Sequence, residues 1–145
     1  MKQHGSDFEL KTERTNDLIR AYYELLKKRQ YIRNYEIYKD LVNMPSSRFW
    51  VSDDRATIVI YSMLKGDKLL KMRQTKREMF QEIYRRVMSL RESDASLSLF
   101  ECVCIVVRQP APKFYITPVS ATIYITKAKK KWYEERKRKL IHLFM

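Results

Sequence analysis

A chain of 145 residues with 45% hydrophobic and 12% aromatic content has the apolar surface for one packed domain, which excludes wholesale disorder. Two Gly and four Pro are too few for the turns of a sandwich, a barrel or a many-stranded meander. Thirty Lys and Arg against seventeen Asp and Glu give a net charge of +13 and a pI near 9.8, which favours a polyanionic partner.

Residues 1–11 are polar and read as a flexible N-terminal leader ahead of a single α-helical domain over 12–145. They lack the apolar segment of a secretory signal. The longest unbroken apolar run, Cys102–Val107, is far shorter than the roughly 20 residues that cross a bilayer. A soluble protein of the cytoplasm, or of a virion, is the expectation.

The first helix is expected to start near Thr15 or Asn16, with Asp17 in its first turn and Leu18, Tyr22, Leu25 and Leu26 on one face. A short second helix carries Tyr35, Tyr38, Leu41 and Val42 and stops before Pro45. Ser52 opens a third, with Asp53 and Asp54 at its positive pole, an apolar stripe through Ala56, Val59, Ile60, Met63 and Leu64, and a stop at Lys65-Gly66. Thr75 and Glu78 form a capping-box pattern ahead of a fourth helix marked by Met79, Phe80, Ile83, Tyr84, Val87 and Met88. Ser98 and Glu101 repeat that pattern before Cys102–Val107, a β-branched stretch that taken alone reads equally as a strand. The last helix begins at Thr117 with Pro118 in its first position. It runs through Ala121, Ile125, Ala128 and Trp132, which places Trp132 in the core.

The chain resembles itself at an offset of 65. Eight of the 25 positions from 36 to 60 are identical to those 65 residues on, including Pro45/Pro110, Phe49/Phe114 and Ala56-Thr57-Ile58/Ala121-Thr122-Ile123. Close exchanges accompany them: Arg48/Lys113, Trp50/Tyr115, Val51/Ile116 and Ser52/Thr117. A repeated segment should repeat its local structure, so Cys102–Val107 is assigned as helix. The predicted fold is all-α: about six helices, with two pseudo-symmetric helix–extended loop–helix units over 36–62 and 101–127. Phe49–Val51 and Phe114–Ile116 are expected to meet, as a short two-stranded ribbon. The plainer alternative is that each Phe only staples its following helix to the preceding one.

No catalytic or metal-binding pattern is present, and neither enzyme activity nor a cofactor is expected. Cys102 and Cys104 read as reduced core thiols; His4 and His142 lie far apart in the sequence and in no motif. The cations carry the functional expectation. Nine basic residues against three acidic ones lie between Lys65 and Arg91. Eight more (Lys127, Lys129, Lys130, Lys131, Arg136, Lys137, Arg138, Lys139) lie against Glu134 and Glu135, interleaved with Trp132 and Tyr133. Such a stretch suits a polyanion, by counterion release and by base stacking. Arg48 and Lys113, equivalent in the two units, are the expected phosphate contacts outside it.

The units are helix-turn-helix-like in element order only. The Met44–Val51 connection is too long for that motif, and Asp53 and Asp54 would repel phosphate. The leading expectation is therefore a small basic, non-enzymatic, nucleic-acid-binding accessory protein. The alternative is a structural or assembly subunit whose cations meet an acidic protein partner. Attachment of the last helix to an anionic membrane is the least favoured.

Overall fold

Among the described residues the helical periodicities of the sequence are realised as six helices, with no strand. The computed structural model describes residues 4–28 and 34–144, with side chains from 10–28 and 36–144. The helices are α1 (His4–Lys28), α2 (Asn34–Val42), α3 (Asp53–Leu64), α4 (Gln74–Ser93), α5 (Leu99–Val107) and α6 (Pro118–Phe144).

Several ends follow local chemistry. Ser52 caps α3 by accepting the Arg55 N–H at 3.1 Å, and Ser98 caps α5 by accepting the Glu101 N–H at 3.2 Å. Thr117 accepts the Ser120 N–H at 3.2 Å in front of Pro118. Beyond α3, Gly66 takes φ +103°, a left-handed step that a side chain would strain. Replacing Ser52 by Ala is expected to cost about 1 kcal/mol, the usual worth of an N-cap hydroxyl, measured as a lower urea midpoint at unchanged slope.

Three local expectations are corrected. Helix α1 begins at His4, not near Thr15, so residues 4–11 belong to it rather than preceding it; residues 1–3 lie outside the described residues. Past Gly5 that stretch has no helix breaker, and Leu10 is already half-buried. The Thr75–Glu78 box does not form: α4 starts two residues earlier than a Thr75 cap would put it, behind Arg73, which makes no side-chain cap. Glu78 bonds instead to Lys113 and Gln74. Leu26 and Leu64, placed on apolar faces, are exposed, because each lies at the edge of its stripe.

Two apolar cores form. In one, α3 (Ala56, Val59, Ile60) packs with α4 (Met79, Phe80, Ile83, Val87) and α5 (Cys102, Val103, Val106, Val107). In the other, α6 (Ala121, Ile125) packs with α1 (Leu18, Ala21, Tyr22, Leu25) and α2 (Ile37, Tyr38, Leu41, Val42).

The two extended segments meet between these cores, but not as a ribbon. Pairing is confined to one antiparallel bridge, in which Ser46 and Ala111 exchange N–H···O bonds of 2.9 and 3.0 Å. On either side the Phe49 N–H donates to the Val107 carbonyl (3.0 Å) and the Phe114 N–H to that of Val42 (3.1 Å). The backbone there is committed to helix ends, so no longer ladder can form. The Phe49 ring stacks on Tyr115 at 6.0 Å, and Tyr115 adopts φ +57°, a costly conformation held by its burial. Phe49 and Phe114 each sit in a core, 0% and 2% exposed.

Candidate nucleic-acid interface

Helix α6 has two parts. Through Lys129 it faces α1 and α2; from Lys130 to Phe144 every residue is exposed, about 20 Å of helix clear of the core. Helical spacing sorts its side chains. Lys127, Lys130, Lys131, Lys137 and Arg138 fall on one stripe, interrupted by Glu134. Trp132, Arg136, Leu140 and Leu143 prolong the arc that faces the core further up, and Tyr133 and Phe144 lie beside it. Trp132 is 51% exposed and Tyr133 63%, which corrects the expectation that Trp132 is buried: it borders open grooves between α6 and α1, with Ile19 on the other side, and no residue closes over it. The two rings meet edge to face at 5.0 Å, and the Arg136 guanidinium lies 5.2 Å from the Trp132 ring centre.

The ten candidate contact residues therefore divide. Lys127, Lys130, Lys131, Lys137, Arg138 and Lys139 are exposed and make no ion pair with a described residue; Arg136 is exposed and stacked. Lys129 is turned inward. It donates to the Tyr22 hydroxyl at 2.8 Å and lies 4.3 Å from that ring's centre. Burial works against its charge, but the Tyr22 hydrogen bond and the charge interactions with the hydroxyls of Tyr22, Tyr38 and Tyr23 outweigh that and raise its pKa. Lys129 is a fastener between α6 and α1.

Arg48 and Lys113 are also held by the fold. Arg48 donates to the carbonyls of Phe49 (3.0 Å) and Val51 (3.2 Å) and stacks on Trp50. Burial, then the neighbouring Arg108 cation, pushes its pKa down. Lys113 pairs with Glu78 at 3.0 Å and lies over Tyr115. Neither presents an unengaged cation to a phosphate.

Residues 65–91 are partly spent in the same way. Arg77 donates to the carbonyls of Leu69, Leu70 and Met72, and Arg85 and Arg86 pair with Glu82. Lys68, Lys71, Arg73 and Lys76 stay exposed around the α3–α4 turn.

Among the described residues neither 36–62 nor 101–127 has helix-turn-helix geometry. Helices α2 and α3 do not pack on one another among the described residues, and Asp53 at the start of α3 is neutralised by a bidentate bond from Arg108, 2.9 Å to each oxygen. Burial raises the pKa of both Cys102 and Cys104, which leaves them as protonated thiols near neutral pH. The described residues include no group of His, Cys, Asp and Glu that could hold a metal ion. No helix among them is long and apolar enough to cross a membrane.

One residue that sequence reasoning undervalued organises the middle of the fold. Asp17, 8% exposed, accepts from Arg20 Nε (2.9 Å) and Nη2 (2.7 Å), the Ser47 N–H (2.8 Å) and hydroxyl (2.9 Å), and the Ser46 hydroxyl (3.2 Å). It was expected only to balance a helix dipole. The sole sequence hint is Arg20 three residues on; the serines lie 29 and 30 residues away. The chain matches no known protein family, no curated protein and no solved structure.

Proposed function

We propose that this is a small, non-enzymatic nucleic-acid-binding accessory protein of the cytoplasm, whose contact element is the exposed stretch of α6. Its scaffold is doubled, with 36–62 and 101–127 as pseudo-symmetric units about the Ser46–Ala111 bridge. One observation carries the functional reading: five unpaired cations share a stripe of α6, and the half-exposed rings of Trp132 and Tyr133 lie off that stripe on the same exposed stretch. A polyanion laid along the stripe releases condensed counterions, and a strand that wraps the helix finds stacking faces for unpaired bases on those rings. The geometry favours a single strand, because stacking adds to the charge term only where bases are unpaired.

The test is an electrophoretic shift series over salt with duplex DNA, single-stranded DNA and RNA. Five phosphate contacts give a slope of log affinity against log salt of about −3.5 on a single strand. No shift at low salt with any of the three sinks the reading.

Leu140, Ile141, Leu143 and Phe144, exposed on the same helix, favour a second reading: an assembly subunit docking an acidic protein partner. An assembly that persists at high salt supports that alternative, since apolar contacts survive screening.

A further inference from the structure

We infer that the two halves of the chain are duplicates that have exchanged their third helices, so that the surface between them is a dimer interface carried within one chain and each half's partner is the other half. The inference rests on the doubled scaffold proposed above and is independent of any nucleic acid.

Helix bounds recur within the repeat: α2 ends at 42 and α5 at 107; α3 starts at 53 and α6 at 118. Both pairs are 65 residues apart, and each short helix follows a longer one, α1 or α4, whose sequences share few residues at that offset. Local interactions repeat at the same offset. Arg20–Asp17 answers to Arg85–Glu82, and Thr57 on the Asp53 carbonyl to Thr122 on that of Pro118. Arg48 over Trp50 answers to Lys113 over Tyr115.

The bonds between the halves have the form that a twofold axis imposes. In an isologous contact, a bond from residue i to the partner of j is matched by one from the partner of i to j. Phe49 to Val107 and Phe114 to Val42 are such a pair. Only a residue facing its own equivalent can lie on the axis, and Ser46 faces Ala111.

The exchange is read from the cores. Among the described residues α3 does not pack on α1 or α2, the helices that precede it, but on α4 and α5; α6 packs on α1 and α2 and on neither α4 nor α5. Each half thus completes the other's core, and cut apart it would expose Leu18, Tyr22 and Leu41 on one side and Ile83, Val103 and Val106 on the other, all now buried. The equivalent of Leu64, where α3 ends, is Lys129, where α6 leaves the core. Residues 130–144 therefore stand outside the duplicated scaffold.

The link between the halves is exposed from Lys65 to Lys68, and a Cβ at Gly66 would meet nothing within 4 Å. A protease site inserted between Gly66 and Asp67, cleaved after folding, tests the inference. The halves should elute as one 1:1 complex at micromolar concentration, keep their far-ultraviolet helical signal, and unfold with a midpoint that depends on concentration. Separation of the halves, folded or unfolded, overturns the inference. A second variant needs no insertion. Cysteines placed by S46C and A111C in the intact chain should form a disulfide, which single-cysteine controls and peptide mapping would locate. A folded double variant with both new thiols free overturns the proposed axis. Neither assay contains nucleic acid, so failure here and failure of the binding reading are separate results.

Discussion

Reversing Lys130, Lys131, Lys137 and Arg138 to Glu should lower nucleic-acid affinity at least 100-fold near physiological salt and leave the helical signal of the body intact. These side chains are exposed and unpaired, so their loss removes no packing and orphans no buried partner. Taking four cations away from the phosphates of a single strand should flatten the salt slope by about 3. Trp132→Ala separates the other contribution: it should weaken single-strand binding by about 1–3 kcal/mol, shift duplex binding less, and leave the salt slope unchanged. Equal loss on both substrates would show that Trp132 does not stack on bases. Arg48→Gln and Lys113→Gln serve as controls, since both side chains are bound within the protein. A large loss of binding from either, with stability preserved, would overturn the assignment of the contact surface to α6.

Asp17→Ala should cost about 3 kcal/mol of stability at neutral pH, since it leaves the Ser47 N–H and hydroxyl without their acceptor, leaves the Ser46 hydroxyl only the Arg48 carbonyl, and strips Arg20 of its main partner. The effect has a definite pH dependence. Burial alone would raise the Asp17 carboxyl, but the Ser47 N–H, the Arg20 guanidinium and the Ser47 hydroxyl outweigh it and hold the pKa below the ordinary 3.8. A carboxyl depressed by folding contributes stability that is fully present above its unfolded pKa and lost as pH falls through its folded one. Wild type and Asp17→Ala should therefore differ most above about pH 5 and converge below pH 4, read from urea midpoints across pH. A difference that stays constant down to pH 2 would show that the ionised carboxylate is not what ties α1 to the α2–α3 connection.

Much of the helix content was legible because it rests on local rules. The i, i+4 apolar spacing of α4, the Ser52 and Ser98 caps, the Lys65-Gly66 stop and Pro118 at the first position of α6 all lie within a turn of the features they specify. Cys102–Val107 was ambiguous by composition, and the likeness to 36–42 assigned it to helix. The candidate site was legible only as charge. The helical register of 127–139 was readable, so the cations could be placed on α6; which of them remain free was not. Lys129 differs from Lys130 only by facing Tyr22, more than 100 residues earlier in the chain. Arg48 and Lys113 look like unengaged cations until carbonyls one and three residues on, or a carboxylate on α4, are found beside them. Trp132 continues an apolar stripe, but a stripe records what a helix offers and not whether its neighbour closes over it.

From the amino-acid order alone came the helical class, most helix ends, the excess of positive charge and the likeness of two stretches at an offset of 65. Each of these depends on neighbours in the chain or on counting. The tertiary structure decided which helices share a core, the burial of Asp17, the engagement of Arg48, Lys113 and Lys129, and the exposure of Trp132. Apart from Arg48, held by carbonyls one and three residues on, those outcomes depend on contacts between residues tens of positions apart, where propensity and spacing carry no information about which of two equally apolar faces a helix will meet.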